Sequence, residues 1–582
     1  MLGLVLGLSA SGGLWMTPAT SFLFQGDPSG AWGLGFTSFI SFSPPPPFAM
    51  PASPASPGSP TPGATRSASG GNTQGGGAAL TIVPNPVQRE NALPGTTQWL
   101  IADSHAATTQ IQGYASAESA TAAQTLTFYV STQIPNVPYT VDVYRLGWYH
   151  GAGGRLLTTL NEVGQAQGYY DWANLKLVGC ASCRFEPATH LIDAGWQPSF
   201  HLTIPSRWTT GLYVAKLTTS GTSGSWQAYV HFTVTGNADA TYVATIPDTT
   251  SEAYNDWGGY SLYHGPDGRL ATRAFKVSLN RPALGWRFGY GSGLSYVLDA
   301  IRWFERNGYD LAYVSTMDLH AHPTLLLTHR AYLSLGHDEY WSAAMRNGVE
   351  RARDAGIGLA FLGANPAYWN MRVESDRAGV ANRVIVCYKN AFLDPLYGRD
   401  NANVTVEWRQ PPLNRPENAL VGIMYTDWTY PPTAWPWRVT AAGAHTPLMA
   451  GTGLRAGVAY GCNLVGYEFD HSFANGQTPA GLQVLAQSYA DGQDSGPSVS
   501  QTTDYVAQSG ALVFASGSIY WSYALDGLHL WDVPHVPAAN QSCMGTTASA
   551  PIPGIQRLMA NVMAQLVVNH HLNLTHRPQR GT

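Results

Sequence analysis

The sequence predicts an all-β sandwich of the immunoglobulin kind followed by a doubly wound α/β domain, flavodoxin-like or glutamine-amidotransferase-like. Two observations predict it. Residues 81–238 alternate apolar and polar side chains in short runs, with Gly, Pro, Asn or Ser between them and no helical period of useful length. From about residue 239 the pattern switches to short apolar runs separated by segments of helical spacing. A chain of 582 residues is also too long for one hydrophobic core, so two or three domains are expected.

The first part of the chain differs from both. Residues 1–80 contain no Lys or Arg before Arg66, and residues 44–80 are mostly Pro, Ser, Ala, Gly and Thr. That composition cannot bury a core and reads as a flexible export or tether segment. Met1–Leu8 is too short to span a bilayer, and the basic n-region of a signal peptide is absent. The tether favours an extracytoplasmic location, secreted or envelope-tethered; the alternative is a cytoplasmic protein with a disordered tail.

In the sandwich, residues 81–238, strands are expected at Leu126–Ser131, Tyr139–Arg145, Phe200–Ile204, Gly211–Leu217 and Trp226–Thr235. The run Tyr144–Tyr149 leads through His150 into Gly151-Ala152-Gly153-Gly154, a strand entering a tight turn. In the α/β domain, residues 239–582, Gly293–Asn307 has Leu294, Val297, Leu298, Ile301 and Phe304 on one helical side, and Gly308 stops it. Leu311–Ser315, Ala331–Leu335 and Gly358–Leu362 read as buried strands, with a helix over Ser342–Ala355 between the last two. Strand, helix, strand in this order implies parallel strands, as in Rossmann-like sheets. Residues 395–500 form a β-rich insertion, and Ile555–Asn569 closes the chain as a helix.

Composition narrows the function. Charged residues are 12% of the chain, the formal net charge is -5, and the only lysines are Lys176, Lys216, Lys276 and Lys389. No basic patch stands ready to neutralise phosphates, so nucleic acid is excluded as a partner. Cys180 and Cys183 have zinc-knuckle spacing, but no second pair completes four ligands. A loop disulfide or two idle thiols is therefore expected there. The other cysteines are Cys387, Cys462 and Cys543, and the odd count leaves at least one thiol without an intrachain partner.

In an open parallel sheet, ligands sit beyond the carboxyl ends of the strands. Two polar clusters fall at such ends: Gly336-His337-Asp338-Glu339-Tyr340-Trp341-Ser342 after Ala331–Leu335, and Gly363-Ala364-Asn365 after Gly358–Leu362. Consecutive ionisable groups at the end of an apolar strand are costly to bury unless paired or ligating. The plainer reading is a solvated loop with Ser342 capping the next helix. Two further clusters are Ala253-Tyr254-Asn255-Asp256-Trp257-Gly258-Gly259-Tyr260-Ser261-Leu262-Tyr263 and Gly466-Tyr467-Glu468-Phe469-Asp470-His471.

These strings, with Gly363-Ala364-Asn365-Pro366-Ala367-Tyr368-Trp369 and Tyr144–Tyr149, resemble the large (beta) subunit of N,N-dimethylformamidase and its relatives over roughly residues 125–570. The resemblance implies a mononuclear non-haem ferric ion (Fe3+) held by two tyrosinates and a glutamate. It matches the glutamate to Glu339, one tyrosine to Tyr254 and the other to Tyr213, with Tyr260, Tyr263 and Tyr340 as fallback candidates. It places His337, Asn365 and Glu468 in the family's pocket. It also implies a small partner subunit and a small amide substrate; a homo-oligomer is a further expectation.

The chemistry agrees with such a site. Phenolate and carboxylate are hard oxygen donors suited to a hard cation. Glu468 or His337 would take a proton from water and pass it to the leaving amine, with Asn365 donating to the oxyanion. The implied activity is iron-dependent hydrolysis of a small N-substituted, formamide-like amide. Two alternatives stay open at this stage. One is a secreted carbohydrate- or surface-binding protein with a non-catalytic α/β domain. The other is a glycoside hydrolase using carboxylates such as Glu339 and Glu468. Tyr213 and Tyr254 have the plainer reading of core aromatics with their hydroxyls tied to backbone.

Overall fold

Strands Ile111–Ala115, Thr125–Thr132 and Phe200–Thr203 form a three-stranded antiparallel sheet centred on Thr125–Thr132. Strands Pro138–Leu146, Gly154–Val163, Gly211–Gly221 and Gly224–Val234 form a second sheet, extended by the short Ser119–Ala120. These positions follow from alternation: Val141, Val143, Leu217 and Phe232 of the second sheet meet Leu126, Phe128 and Val130 of the first in one buried cluster. Two sheets sharing one core in this way form a sandwich. The computed structural model describes residues 83–221, 224–283, 290–429, 435–530 and 551–568. The tether expected over residues 1–80 and Cys543 lie outside the described residues.

A seven-stranded sheet carries the rest of the core. Its strands are β1 (Tyr242–Ile246), β2 (Leu311–Ser315), β3 (Ala331–Leu335), β4 (Gly358–Leu362), β5 (Gln483–Gly492), β6 (Gly496–Val506) and β7 (Leu512–Ala515). Their spatial order is β2-β1-β3-β4-β7-β6-β5. The first five in that order are parallel, and β6 and β5 are antiparallel additions. β3 and β4 read as continuous apolar runs because both faces are covered. Ala244, Leu333, Leu335, Ala360 and Leu362 pack on one side with Val297, Ile301 and Phe304 of helix α2 (Tyr290–Arg306) and Leu558 and Val562 of α4 (Pro553–Leu566). Val243, Tyr332, Leu359 and Phe361 pack on the other with Met345 and Val349 of α3 (Ala343–Asp354). A six-residue helix, α1 (Asp248–Ala253), follows β1.

The expected doubly wound, flavodoxin-like or glutamine-amidotransferase-like domain is not what the chain forms. The molecule is mostly β, with many small sheets and few helices, and its largest sheet is mixed. The physical reason lies between β4 and β7. Among the described residues no crossover helix connects them. The chain instead runs through a four-stranded sheet that includes Trp369–Glu374 and Val384–Val386, two two-stranded sheets, and the antiparallel β5–β6 hairpin. The Rossmann-like description falls with it. The individual strands Leu311–Ser315, Ala331–Leu335 and Gly358–Leu362 have the expected bounds.

A buried ion pair joins the sandwich to α2. Arg145 donates to Glu305 through Nη2–Oε1 at 2.7 Å and Nη1–Oε2 at 3.0 Å, with both side chains 0% exposed. Tyr313 Oη donates to Glu305 Oε1 at 3.0 Å and Asn91 Nδ2 to Oε2 at 2.8 Å, so the carboxylate has four hydrogen bonds. Cys180 and Cys183 form a disulfide, as one of the two expected states required, and Cys387 is a buried free thiol. Cys462 is also disulfide-bonded.

Candidate metal centre and catalytic pocket

The ends of β3 and β4 meet through backbone. Gly336 leaves β3 with φ +63°, and a Cβ on Gly363 would lie 1.8 Å from the Gly336 carbonyl oxygen. Only glycine at both positions allows the approach. It brings His337 and Glu339, on the β3 side, against Asn365, on the β4 side. Ser342 then caps α3, its hydroxyl accepting from Met345 N at 3.3 Å.

Other elements hold this corner. Thr250 of α1 accepts from Glu339 N at 2.9 Å, fixing the glutamate's backbone. Asn365 N donates to both carboxylate oxygens of Asp470 at 3.0 Å, and burial pushes the Asp470 carboxyl up to about 8. Ser334 Oγ donates to Asp338 Oδ2 at 2.8 Å, so Asp338 turns back into the fold and away from the pocket chemistry.

The candidate side chains gather around His337. Its Nε2 lies 3.0 Å from Glu468 Oε2 and 3.5 Å from Glu339 Oε2. Burial alone would lower its pKa, but the carboxylates of Glu468, Glu339 and Asp338 outweigh this and raise it to about 9. Asn365 Nδ2 donates to Glu468 Oε2 at 3.1 Å. Tyr467 Oη pairs with His337 Nδ1 at 3.2 Å.

The phenols stand on the other side of Glu339. Tyr263 Oη donates to Glu339 Oε1 at 2.5 Å, and the Tyr254 ring stacks on Tyr263 at 4.2 Å between centroids. Tyr254 also packs against His337 at 5.5 Å. Burial and the Glu339 charge hold both phenols well above their ordinary pKa of 10.0. Lys389 Nζ sits 3.0 Å from the Tyr263 ring centroid and 4.6 Å from that of Trp369, with no hydrogen-bond partner. Burial lowers its pKa to about 7.

Tyr213 is not part of this constellation. It is 0% exposed in the sandwich core, stacked on Trp208 at 5.3 Å, and its hydroxyl donates to the Thr209 carbonyl at 2.5 Å. The structure thus brings Tyr254, Glu339, His337, Asn365 and Glu468 together and leaves Tyr213 in a core role. Tyr263, a fallback candidate on sequence, takes the second phenol position. Tyr340 lies behind Tyr263 at 6.3 Å, and Tyr260 stacks on Phe185 instead. Sequence reasoning missed Lys389 and Tyr467. Tyr467 lay inside a singled-out string; for Lys389 the one signal was the scarcity of lysine.

The donor set fits a hard cation. Glu339 Oε2 is buried with no hydrogen-bond partner, an orphaned anionic oxygen beside two phenols. His337 Nε2 at 3.5 Å offsets part of its charge without bonding it, and a hard cation among the three oxygen donors would offset the rest. Tyr254, Tyr263 and Glu339 are the residues that would hold the ion. A second group, Glu118, His231 and Asp248, also offers ligand atoms within 4.8 Å of one another. There His231 Nε2 lies 3.0 Å from Asp248 Oδ1, and Arg383 donates to Glu118 Oε1 at 3.1 Å. This group could hold a metal ion as well, with imidazole and carboxylate donors of a different character.

Phenols, carboxylates and a histidine thus gather in one buried pocket at the strand ends. Residues 140–537 match the family described as N,N-dimethylformamidase beta subunit-like, C-terminal, and the chain belongs to that family. Membership points to a dimethylformamidase-like amidohydrolase acting on a small amide. Curated proteins gave no match. Among solved structures, a cycloisomaltooligosaccharide glucanotransferase of Paenibacillus sp. is 9% identical over 50% of this chain and 35% of its own, with TM-score 0.14. A family 123 glycoside hydrolase from Clostridium perfringens is 7% identical over 48% and 53%, with TM-score 0.10. This chain thus spans about a third of the first and half of the second, and neither likeness carries an argument.

Proposed function

We propose that the protein is an iron-dependent hydrolase that cleaves a small N-substituted amide, formamide-like, to a carboxylic acid and an amine. The observation that carries this is the buried Glu339 Oε2, without a hydrogen-bond partner, set between the phenol pair Tyr254–Tyr263 and the His337–Glu468 pair. A ferric ion held by Tyr254, Tyr263 and Glu339 would supply Lewis acidity, polarising the amide carbonyl and acidifying a water.

The chain's own groups supply the proton traffic. Glu468 takes the proton of the attacking water as general base. Asn365 Nδ2 gives one hydrogen to Glu468 and has a second for the oxyanion of the tetrahedral intermediate. His337, 3.0 Å from Glu468, delivers a proton to the leaving amine and recovers one from Glu468. Lys389 lies on the Tyr263 ring and offsets negative charge beside Glu339.

Two expectations stand with this reading. Disulfides at Cys180–Cys183 and at Cys462 support an oxidising, extracytoplasmic compartment. A small partner subunit and self-association are carried over from the resemblance. The test is to incubate the iron-loaded, full-length protein with N,N-dimethylformamide and measure formate and dimethylamine. Equal release of both, lost in Glu339→Gln, is expected. No turnover across a panel of formamides and acetamides contradicts the proposal.

A further inference from the structure

A cleft of about 980 Å³ opens where the sandwich meets the four-stranded sheet, and none of Tyr254, Tyr263, His337, Glu339 or Glu468 lines it. We infer that this cleft is a second binding site, for a neutral, hydroxyl-rich ligand of the oligosaccharide class.

Its aromatic walls are the first reason. Phe185 lines the cleft 49% exposed, with one face braced on Tyr260 at 5.4 Å and the rest open to a ligand. Tyr129 also lines it, one ring face stacked on Tyr114 at 4.7 Å, with Trp196 packed behind Tyr114 at 5.7 Å. Rings braced from behind offer flat apolar faces to a ligand that is apolar on one side and polar at its edge.

The polar wall is the second reason. Asp193 Oδ2 accepts from Ser278 Oγ at 3.1 Å, and Asp376 Oδ2 accepts from Asn280 Nδ2 at 2.8 Å. Backbone N–H groups of Gly195, Ala378 and Val380 hold the same two carboxylates. Each carboxylate oxygen retains acceptor capacity, so these are fixed acceptors for hydroxyl donors.

The charge balance is the third. Lys276 is tied to Glu374 at 2.6 Å. Arg383 is committed to Glu118, Asn280 and two backbone carbonyls. What remains in the lining is a mixture, Glu186, Asp193 and Asp376 with Arg184 and Arg377. Neither a polyanion nor a polycation is favoured by such a lining. A proline-rich peptide would meet the rings but leave the fixed acceptors without donors, because proline has no N–H.

The wall is also preorganised. The Cys180–Cys183 disulfide precedes Arg184 and Phe185, and Ser182 Oγ donates to the Ala194 carbonyl at 2.9 Å across the cleft's edge. A stapled rim lowers the entropy lost on binding.

The experiment is a fluorescence titration of the full-length protein. The probes are cellotetraose, maltotetraose and tetra-N-acetylchitotetraose, with tetragalacturonate and a proline-rich decapeptide as contrasts. Saturable binding of at least one neutral tetrasaccharide is expected, weakened about tenfold in Phe185→Ala and in Tyr129→Ala. Phe185 is half exposed, so its variant folds even if Tyr129→Ala does not, and amide hydrolysis is unchanged in it. No binding of any neutral probe at millimolar concentration overturns the inference. So does binding confined to tetragalacturonate or the peptide, or binding that Phe185→Ala leaves intact.

Discussion

Glu468→Gln separates the general base from the metal ligands. The substitution keeps the side chain's shape in a site where Glu468 is 7% exposed. It removes the negative charge 3.0 Å from His337 Nε2 and the acceptor that Asn365 Nδ2 uses at 3.1 Å can be kept by the amide oxygen. The pocket therefore stays assembled while the group that takes the water's proton is lost. General-base catalysis contributes ~10²–10⁴-fold, so the barrier should rise by ~3–5 kcal/mol. The assay is kcat and KM for dialkylformamide hydrolysis, with iron content measured on the same preparation. The expected result is kcat reduced ~10²–10⁴-fold with KM and iron content nearly unchanged. A kcat within about threefold of the parent would refute the base assignment. Loss of iron would show instead that Glu468 belongs to the ligand set.

Three further outcomes follow from the packing. Tyr213→Phe removes only the hydrogen bond to the Thr209 carbonyl, so it should cost ~1 kcal/mol in denaturant unfolding and leave hydrolysis unaltered. Glu305→Ala strands the fully buried Arg145 and should cost ~3–5 kcal/mol, read as an earlier urea midpoint. Asp504 is 6% exposed, its Oδ1 lacks a hydrogen-bond partner, and burial pushes its carboxyl from 3.8 up to about 6. A raised acid stabilises the fold fully below pH 3.8 and loses that contribution as pH rises through 6, ~3 kcal/mol in all. Asp504→Asn should therefore gain up to that amount at alkaline pH and nothing at strongly acidic pH, which urea midpoints at the two pH values check.

The parts of the fold that were legible are those where burial leaves a local signature. β2, β3 and β4 are covered on both faces, so they appear as unbroken apolar runs. His337, Glu339 and Asn365 were legible for the same reason, since polar groups at the ends of such runs stand out. The antiparallel β5 and β6 were not: their half-polar alternation marks strands but not which sheet they join. That gap turned a mixed, β-rich architecture into an expected doubly wound one. Tyr213 and Tyr263 illustrate a second limit. A tyrosine inside a strand and a tyrosine in a glycine-rich loop look alike as donors, and only the fold shows that one hydroxyl meets Thr209 while the other meets Glu339. Glu118, His231 and Asp248 come from three distant segments and share no motif, so nothing in the sequence joined them.

The central claim rests on the phenol–carboxylate centre, and its metal content with the visible spectrum tests it most directly. The full-length protein should hold about one iron per chain at this site by its three anionic oxygen donors. It should show a tyrosinate-to-iron charge-transfer band that weakens in Tyr254→Phe and Tyr263→Phe, persists in Tyr213→Phe and is indifferent to His231→Ala. A colourless protein that takes up no iron on loading, or a band untouched by both Tyr254→Phe and Tyr263→Phe, would contradict the account.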